Sequence, residues 1–398
     1  MKSDIKSLTL DQIEEKFRVW GQPAYRATQL AGWLYRQLAC DWDVMTNLPR
    51  ALRDRLANEY TLNCLGLVTL KEAADGTRKF LWRLHDGNMI ESVLIPANPA
   101  LYGEGSDRTT LCVSTQVGCA YRCAFCASGL RGLKRDLTTE EIVEQVLAVE
   151  RWHRETSKTS SPACPNSGIA VAETGFLEAV EAREPSPAQP FRQETRLVDN
   201  IVVMGMGEPL ANYENLLKAL HILNAPWATR IGARRITIST AGLAPQIRRL
   251  ADEQLQVRLA ISLHAATDDV RSKLMPVNRK HPLGDLMAAC KYYVDRKGKM
   301  ITFEYLLIEG VNDGPDQVKP LAAFARRLGA KINLIPYNPV QGLPWKRPSP
   351  TAQRAFHRAL KSLGVTATLR QEKGSDIDAA CGQLRLRTEA QQGSRLTD

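Results

Sequence analysis

The chain has 398 residues, enough to bury one large core and a smaller accessory one. A composition of 44% apolar and 24% charged residues excludes a disordered or fibrous chain, and no apolar run reaches the length of a membrane span. Lys and Arg number 53 against 43 Asp and Glu, a net charge of +10 that fits a polyanionic partner, nucleic acid first, with a merely basic enzyme as the plain alternative. The start, MKSDIKSLTLDQIEEKF, lacks the apolar centre of a secretory signal, so the expected compartment is the cytoplasm. There, nine cysteines argue for metal chemistry or reactive thiols and against a disulfide framework.

Residues 1–62 carry apolar positions at three- and four-residue spacing, as in AYRATQLAGWLYRQL, with Pro49 where a further helix would begin. This predicts a helical accessory module able to touch RNA. Residues 63–105 alternate apolar and polar positions around Asp75-Gly76 and Asp86-Gly87, which reads as a β-meander with tight turns followed by a linker. From 106 to 372 the rhythm is strand and helix in turn. TTLCVST, NIVVMGM, RRITIST, QVRLAISL, MITFEYLL and KINLIPY are the candidate strands. Six such alternations predict a parallel α/β architecture, an open barrel or a doubly wound sheet, with its chemistry at the C-terminal strand ends. Residues at about 156–198, rich in Ser, Pro, Ala and Glu, interrupt the pattern and predict an inserted flexible loop that makes Cys164 a poor ligand. Residues 373–398 form a C-terminal segment containing Cys381.

The stretch VGCAYRCAFCASG places Cys119, Cys123 and Cys126 in one loop after the first α/β strand, with no His nearby. Three thiols without a fourth suit an iron–sulfur cluster that keeps one iron open. A zinc site or three buried structural thiols are the alternatives. Cys112 in an apolar strand and Cys381 in a Gly-bounded turn read by themselves as a buried hydrophobe and an incidental thiol. Cys40, Cys64 and Cys290 read as structural.

C-x3-C-x-aromatic-C, with Phe125 before the last Cys, resembles the signature of radical S-adenosylmethionine (SAM) enzymes, and VVMGMGEP resembles their GGEP-type element. The blocks LCVSTQVGCAYRCAFCASG, GMGEPLANY, RRITISTAGL, LAISLHA, LMPVNRKHPL, LIPYNP and DIDAACGQL resemble, in order, those of the RlmN/Cfr methyl synthases over nearly the whole chain. The resemblance implies a partial (β/α)6 TIM-like barrel and methylation of an adenine in 23S rRNA. C2 is the expected position, with an adenine beside the anticodon of some tRNAs as a second target and C8 as the nearest alternative. A zinc-stabilised RNA-binding protein without catalysis is the more distant one.

The same resemblance implies the site. Cys119, Cys123 and Cys126 would hold one [4Fe–4S] cluster. SAM would be used twice per turnover and held by Gly207, Glu208, Ser239, Ser262, Leu263, His264 and Asn338. Cys381 would carry the methyl group as S-methylcysteine and form a covalent link to RNA through its methylene radical. Cys112 would resolve that link as a disulfide, reduced afterwards by external thiols. Glu91, a carboxylate within the apolar strand MIESVLIP, would accept the ring proton, with Cys112 as its rival. A flavodoxin-like electron donor and a monomeric state complete the expectation. Arg131, Lys134, Arg135, Arg230, Arg234, Arg235, Arg279 and Lys280 are candidate phosphate contacts along one rim, around a base flipped from its stack.

Overall fold

The computed structural model describes residues 2–97, 108–157, 196–340, 342–370, 377 and 382–394. The chain begins with β1 (Ser3–Asp4), which pairs in parallel with β2 (Tyr60–Thr61), so the first 61 residues close on themselves. Between them lie helices Leu10–Val19, Tyr25–Gly32 and Arg50–Glu59, the last starting directly after Pro49. Thr9 and Gln12 form a reciprocal capping box that fixes the first helix start. Leu30, Leu34, Leu52 and Leu56 are buried in a core continuous with the rest of the molecule. Two further contacts join this module to the main body: the buried Lys6–Glu144 pair at 3.1 Å and the edge-to-face packing of Tyr35 on Trp227 at 5.4 Å.

Strands β3 (Gly66–Glu72), β4 (Arg78–Arg83) and β5 (Met89–Ile95) form the antiparallel meander. At its turns Gly76 and Gly87 adopt positive φ, while Asp75 and Asp86 accept the amides of Thr77 and Asn88 at 2.9 and 3.0 Å. The meander continues into the main sheet: β6 (Thr109–Cys112) pairs antiparallel with β5, with Val93 opposite Cys112. A small hairpin-like pair follows, β7 (Gln116–Gly118) with β8 (Leu133–Asp136).

The remaining strands are β9 (Val198–Val203), β10 (Ile236–Thr240), β11 (Arg258–Ser262), β12 (Thr302–Leu307), β13 (Lys331–Pro336) and β14 (Ala367–Leu369). The ten-stranded order is β14-β13-β12-β11-β10-β9-β6-β5-β4-β3, parallel from β6 to β14. All six candidate strands are present, and the three-residue β14 adds a seventh parallel member. Among the described residues the two ends of the sheet are not paired with each other, so the parallel part is an unclosed barrel. Helices such as Thr139–Ser157, Tyr213–Asn224, Leu283–Lys297 and Pro315–Leu328 alternate with these strands and bury one face each. At the other end, β3 carries a bulge between Leu67 and Thr69.

After β14 the chain ends in helix Gln383–Ser394, whose Leu384 packs on Leu81 of β4 and Met89 of β5. Most of the insertion with Cys164, the loop at 98–107, and Cys381 lie outside the described residues. No helix among the described residues is long and apolar enough to cross a membrane.

Candidate active site at the C-terminal strand ends

Cys119, Cys123 and Cys126 lie on the strap between β7 and β8. Gly118 opens it at φ +86°, where an added Cβ would collide with the Gly132 carbonyl, and the Cys119 amide donates to that carbonyl at 3.1 Å. Ala124 is held from both sides: its amide donates to Leu274 O at 2.8 Å, and its carbonyl accepts Trp345 Nε1 at 2.7 Å. Phe125 packs edge-on against His264 at 4.9 Å.

Burial first, and then the neighbouring thiols, push Cys123 well above its ordinary value; burial likewise pushes Cys119 up to about 12. The three sulfurs therefore sense one another, and the loop needs cations to hold them as thiolates. Among the described residues no three His, Cys, Asp or Glu side chains gather as a single ion would require. A lone tetrahedral zinc draws its sulfurs to within about 4 Å of each other, given Zn–S bonds of about 2.3 Å. Three cysteines on one strap, with no His beside them in the loop, match the ligand set of a cubane cluster that leaves one iron without a protein ligand.

Behind the strap, one hydrogen-bond network joins the ends of β6, β9 and β10. Ser114 Oγ donates to Glu91 O at 2.7 Å and accepts the Met206 amide at 3.0 Å. Gln116 Oε1 accepts the Glu208 amide at 2.8 Å while its Nε2 donates to Asp136 at 2.7 Å. Gly207, at φ +101°, lies so close that a Cβ would stand 2.5 Å from the Cβ of Gln116.

The Glu208 carboxylate accepts Thr240 Oγ1 at 2.7 Å and the amides of Ala241 and Leu210 at 2.7 and 3.0 Å. Burial raises its pKa to about 7 in spite of these donors. Three of roughly four lone-pair sites are thus taken by the protein. Its first duty is to tie β9 to β10, and one site remains for a ligand cation.

Further along the rim, Ser239 Oγ and Ser262 Oγ lie 3.2 Å apart across β10 and β11. The Leu263 amide donates to Glu304 O at 3.0 Å. His264 sits at φ +56°, with Nδ1 accepting the Leu306 amide at 3.0 Å, which assigns its proton to Nε2. Burial pushes its pKa down to about 3, so the imidazole is neutral. Sequence reading missed the residue that braces this rim. Arg271, fully buried, donates to Leu263 O at 3.1 Å, Ala241 O at 2.6 Å and Asn278 Oδ1 at 2.8 Å.

A cavity of about 300 Å³ opens at these strand ends, with mostly apolar walls of Val202, Met204, Leu306, Ile335, Tyr337 and Ile377. Cys112, Cys126, His264 and Asn338 line it together, as do Lys79 and Arg370, two residues not singled out from the sequence. Gly207, Glu208, Ser239, Ser262, Leu263, Cys119 and Cys123 are not among its lining residues. Neither is Glu91. Its Oε1 accepts the Arg385 amide at 2.7 Å, and its Oε2 accepts the Gly382 amide at 2.8 Å and meets Lys79 Nζ at 2.9 Å. Gly382 follows Cys381 in the chain, and a Cβ on it would stand 2.9 Å from Ser128 N, beside the cluster strap.

The basic residues do not line one rim as the sequence reading had them. Arg131 and Lys134 reach Glu389 of the last helix at 2.7 and 3.7 Å. Arg135 is forked onto Glu141 at 2.7 and 2.8 Å and also meets Asp86 at 2.7 Å. Arg230, Arg234 and Arg235 precede β10, at the end of the sheet opposite the cavity. Arg279 and Lys280 are exposed beside the turn Pro276–Arg279.

Comparisons with known proteins agree with this geometry. The family model described as the ribosomal RNA large subunit methyltransferase N-terminal domain matches residues 3–62, and the radical SAM superfamily model matches residues 164–322. The chain is 49% identical over 388 residues to the probable dual-specificity RNA methyltransferase RlmN 3 of Opitutus terrae, covering 98% of this chain and 96% of that protein. It is 44% identical to the probable dual-specificity RNA methyltransferase RlmN of Akkermansia muciniphila, covering 97% of each. The crystal structure of a radical SAM methyltransferase from Sphaerobacter thermophilus superposes with a TM-score of 0.80 at 43% identity, over 96% of this chain and 98% of that one. With three thiols on a strap, a barrel rim behind them and full-length relatives of this kind, the chain belongs to the RlmN family of the radical SAM superfamily.

Proposed function

We propose that this chain methylates C2 of an adenine in 23S rRNA, at the peptidyl transferase centre, and C2 of the adenine 3′ of the anticodon in some tRNAs. The coarser activity, SAM-dependent RNA methylation of the RlmN type, follows from full-length relatives at 41–49% identity that bear that name. The observation that supports a cysteine-mediated radical route is the cavity that Cys112 and Cys126 share, while the choice of C2 over C8 follows the resemblance to the RlmN type.

In this reading Cys119, Cys123 and Cys126 would hold a [4Fe–4S] cluster that works together with SAM. When bound, the two together supply a carbon radical able to act at an aromatic ring carbon that ordinary methyl transfer cannot reach. Gly207 and Glu208 offer the methionyl amine a close backbone and the last free carboxylate site. Ser239, Ser262, Leu263, His264 and Asn338 complete the rim, with the Nε2–H of neutral His264 as a donor. Cys381 holds the methyl group as a thioether, and Cys112 resolves the RNA link by attacking its sulfur. Two SAM molecules are used per turnover, electrons come from an external flavodoxin-like protein, and the enzyme works as a cytoplasmic monomer.

Anaerobic incubation with rRNA, tRNA, reductant and SAM, followed by nucleoside mass spectrometry, tests this. 2-Methyladenosine in both RNAs is expected. 8-Methyladenosine would establish the alternative regiochemistry. A colourless, zinc-containing protein with no product would remove the enzyme reading altogether.

A further inference from the structure

Glu91 is not among the residues lining the cavity, and three of the roughly four acceptor sites of its carboxylate are taken by the protein. Gly382 and Arg385 occupy the N-cap and third positions of helix Gln383–Ser394. Their amides are two of the donors that a helix start leaves without an internal partner. An N-cap side chain together with one at the third position ordinarily satisfies such donors. Here a single carboxylate from a strand about 290 residues earlier takes both, at 2.8 and 2.7 Å. Negative charge at a helix N-terminus is favourable in its own right. Lys79, fully buried on the neighbouring strand and lining the cavity, neutralises the carboxylate from the other side at 2.9 Å.

Two further contacts fix the same turn. Gly382 at φ +87° lies against Ser128, two residues beyond Cys126, with no room for a Cβ. Leu384 packs on Leu81 and Met89. The turn that follows Cys381 is therefore held at once to β4, β5 and the cluster strap.

We infer that Glu91, with Lys79, is a positioning residue: the pair latches the first turn of the last helix, directly after Cys381 in the chain. The inference rests on the reading above that Cys381 carries the methyl group. A latch and a base fail at different steps. If Glu91 removed the ring proton, Glu91→Gln would leave Cys381 methylation intact and let the RNA–protein link accumulate. If Glu91 is the latch, the amide of Glu91→Gln turns a donor toward a donor, and Cys381 is misplaced before RNA ever binds.

The test uses RNA-free holoenzyme of the parent, Glu91→Gln and Lys79→Met, which keeps the carboxylate but strips its counter-charge. Amide hydrogen exchange at Gly382–Leu386 is measured beside that of helix Arg50–Glu59 as a folding control. Incorporation of labelled methyl into Cys381 from SAM is measured in parallel. Both variants are expected to exchange faster at Gly382–Leu386 alone and to lose roughly ten-fold or more in methyl incorporation, as charged hydrogen bonds of this kind would give. Unchanged exchange in both variants overturns the latch. Full methylation with an accumulating RNA link in Glu91→Gln also overturns it and restores the proton acceptor. Absence of label on Cys381 in the parent enzyme would sink the proposed function, while the exchange result still judges the latch.

Discussion

Gly207→Ala separates the cost of backbone conformation from the cost of a specific contact. Gly207 has φ +101°, and an added methyl would lie 2.5 Å from Gln116 Cβ, 2.7 Å from its Cγ and 2.8 Å from its Oε1. Gln116 is buried and its Cβ is fixed by the backbone, so no rotamer relieves the clash and the local chain must shift, at an overpacking cost of about 1–3 kcal/mol. In moving it strands the amide of Glu208, a buried donor whose loss adds about 1–3 kcal/mol. Gly298 provides the control: it closes helix Leu283–Lys297 at φ +61° with nothing within 4 Å, so Ala there bears backbone strain alone. Gly207→Ala is therefore expected to exceed Gly298→Ala by about 2–6 kcal/mol. Urea unfolding of the cluster-free, fully reduced chain, followed by tryptophan fluorescence, reads the difference. An excess under about 1 kcal/mol would show that the Gln116 contact yields freely, and the account of the GMGEP turn would be wrong.

Three other perturbations probe the site from different directions. Cys112→Ala is expected to abolish release and trap RNA on Cys381, seen as a protein-linked RNA band and a modified Cys381 peptide; lost turnover without that adduct removes the resolving role. His264 is held neutral, its folded pKa of about 3 lying below the ordinary 6.5, so its contribution is full above about pH 6.5 and is lost as acid rises. The stability gap between the parent and His264→Gln should accordingly shrink by about 2 kcal/mol between pH 7 and pH 5, and a gap constant across that window refutes the assignment. Arg271→Met strips donors from Leu263 O, Ala241 O and Asn278 Oδ1 and should cost upwards of 3 kcal/mol in unfolding experiments; a loss below 1 kcal/mol would mean that the rim does not depend on it.

The parallel strands were legible because each is an apolar run bounded by turn residues and separated by helix-period segments, a signal that needs no tertiary information. The meander turns were legible for the same local reason, with Asp and Gly at the two positions that require them. What could not be read was partnership. Period-two alternation in MIESVLIP says which residues share a face, not that Val93 would lie opposite Cys112 and join the meander to the barrel sheet.

Charged residues misled most often, because charge in a sequence signals solvent by default. Arg271 within DDVRSKL reads as one more solvated helix position, yet it is buried and binds carbonyls from β10 and β11 loops. Lys79 in RKFLWR reads as an outward strand residue, and Glu91 taken by itself reads the same way, yet the two are buried against each other at 2.9 Å. The carboxylate's other partners, the amides of Gly382 and Arg385, lie far along the chain. Arg131, Lys134 and Arg135, candidate phosphate contacts, pair with Glu389, Glu141 and Asp86, partnerships that the sequence does not announce.

A sheet that stops short of closing on itself has two margins, and an unfinished margin invites a strand from another molecule. Here one margin is β14, three residues long, and the other is β3, interrupted by its bulge at Leu67 and Thr69 and ending in Lys71 and Glu72. Among the described residues neither margin is a long flat strand. Lateral growth by strand addition is thereby discouraged at both extremities, and an architecture that lacks the self-sealing of a full cylinder achieves similar protection through brevity at one side and distortion at the other.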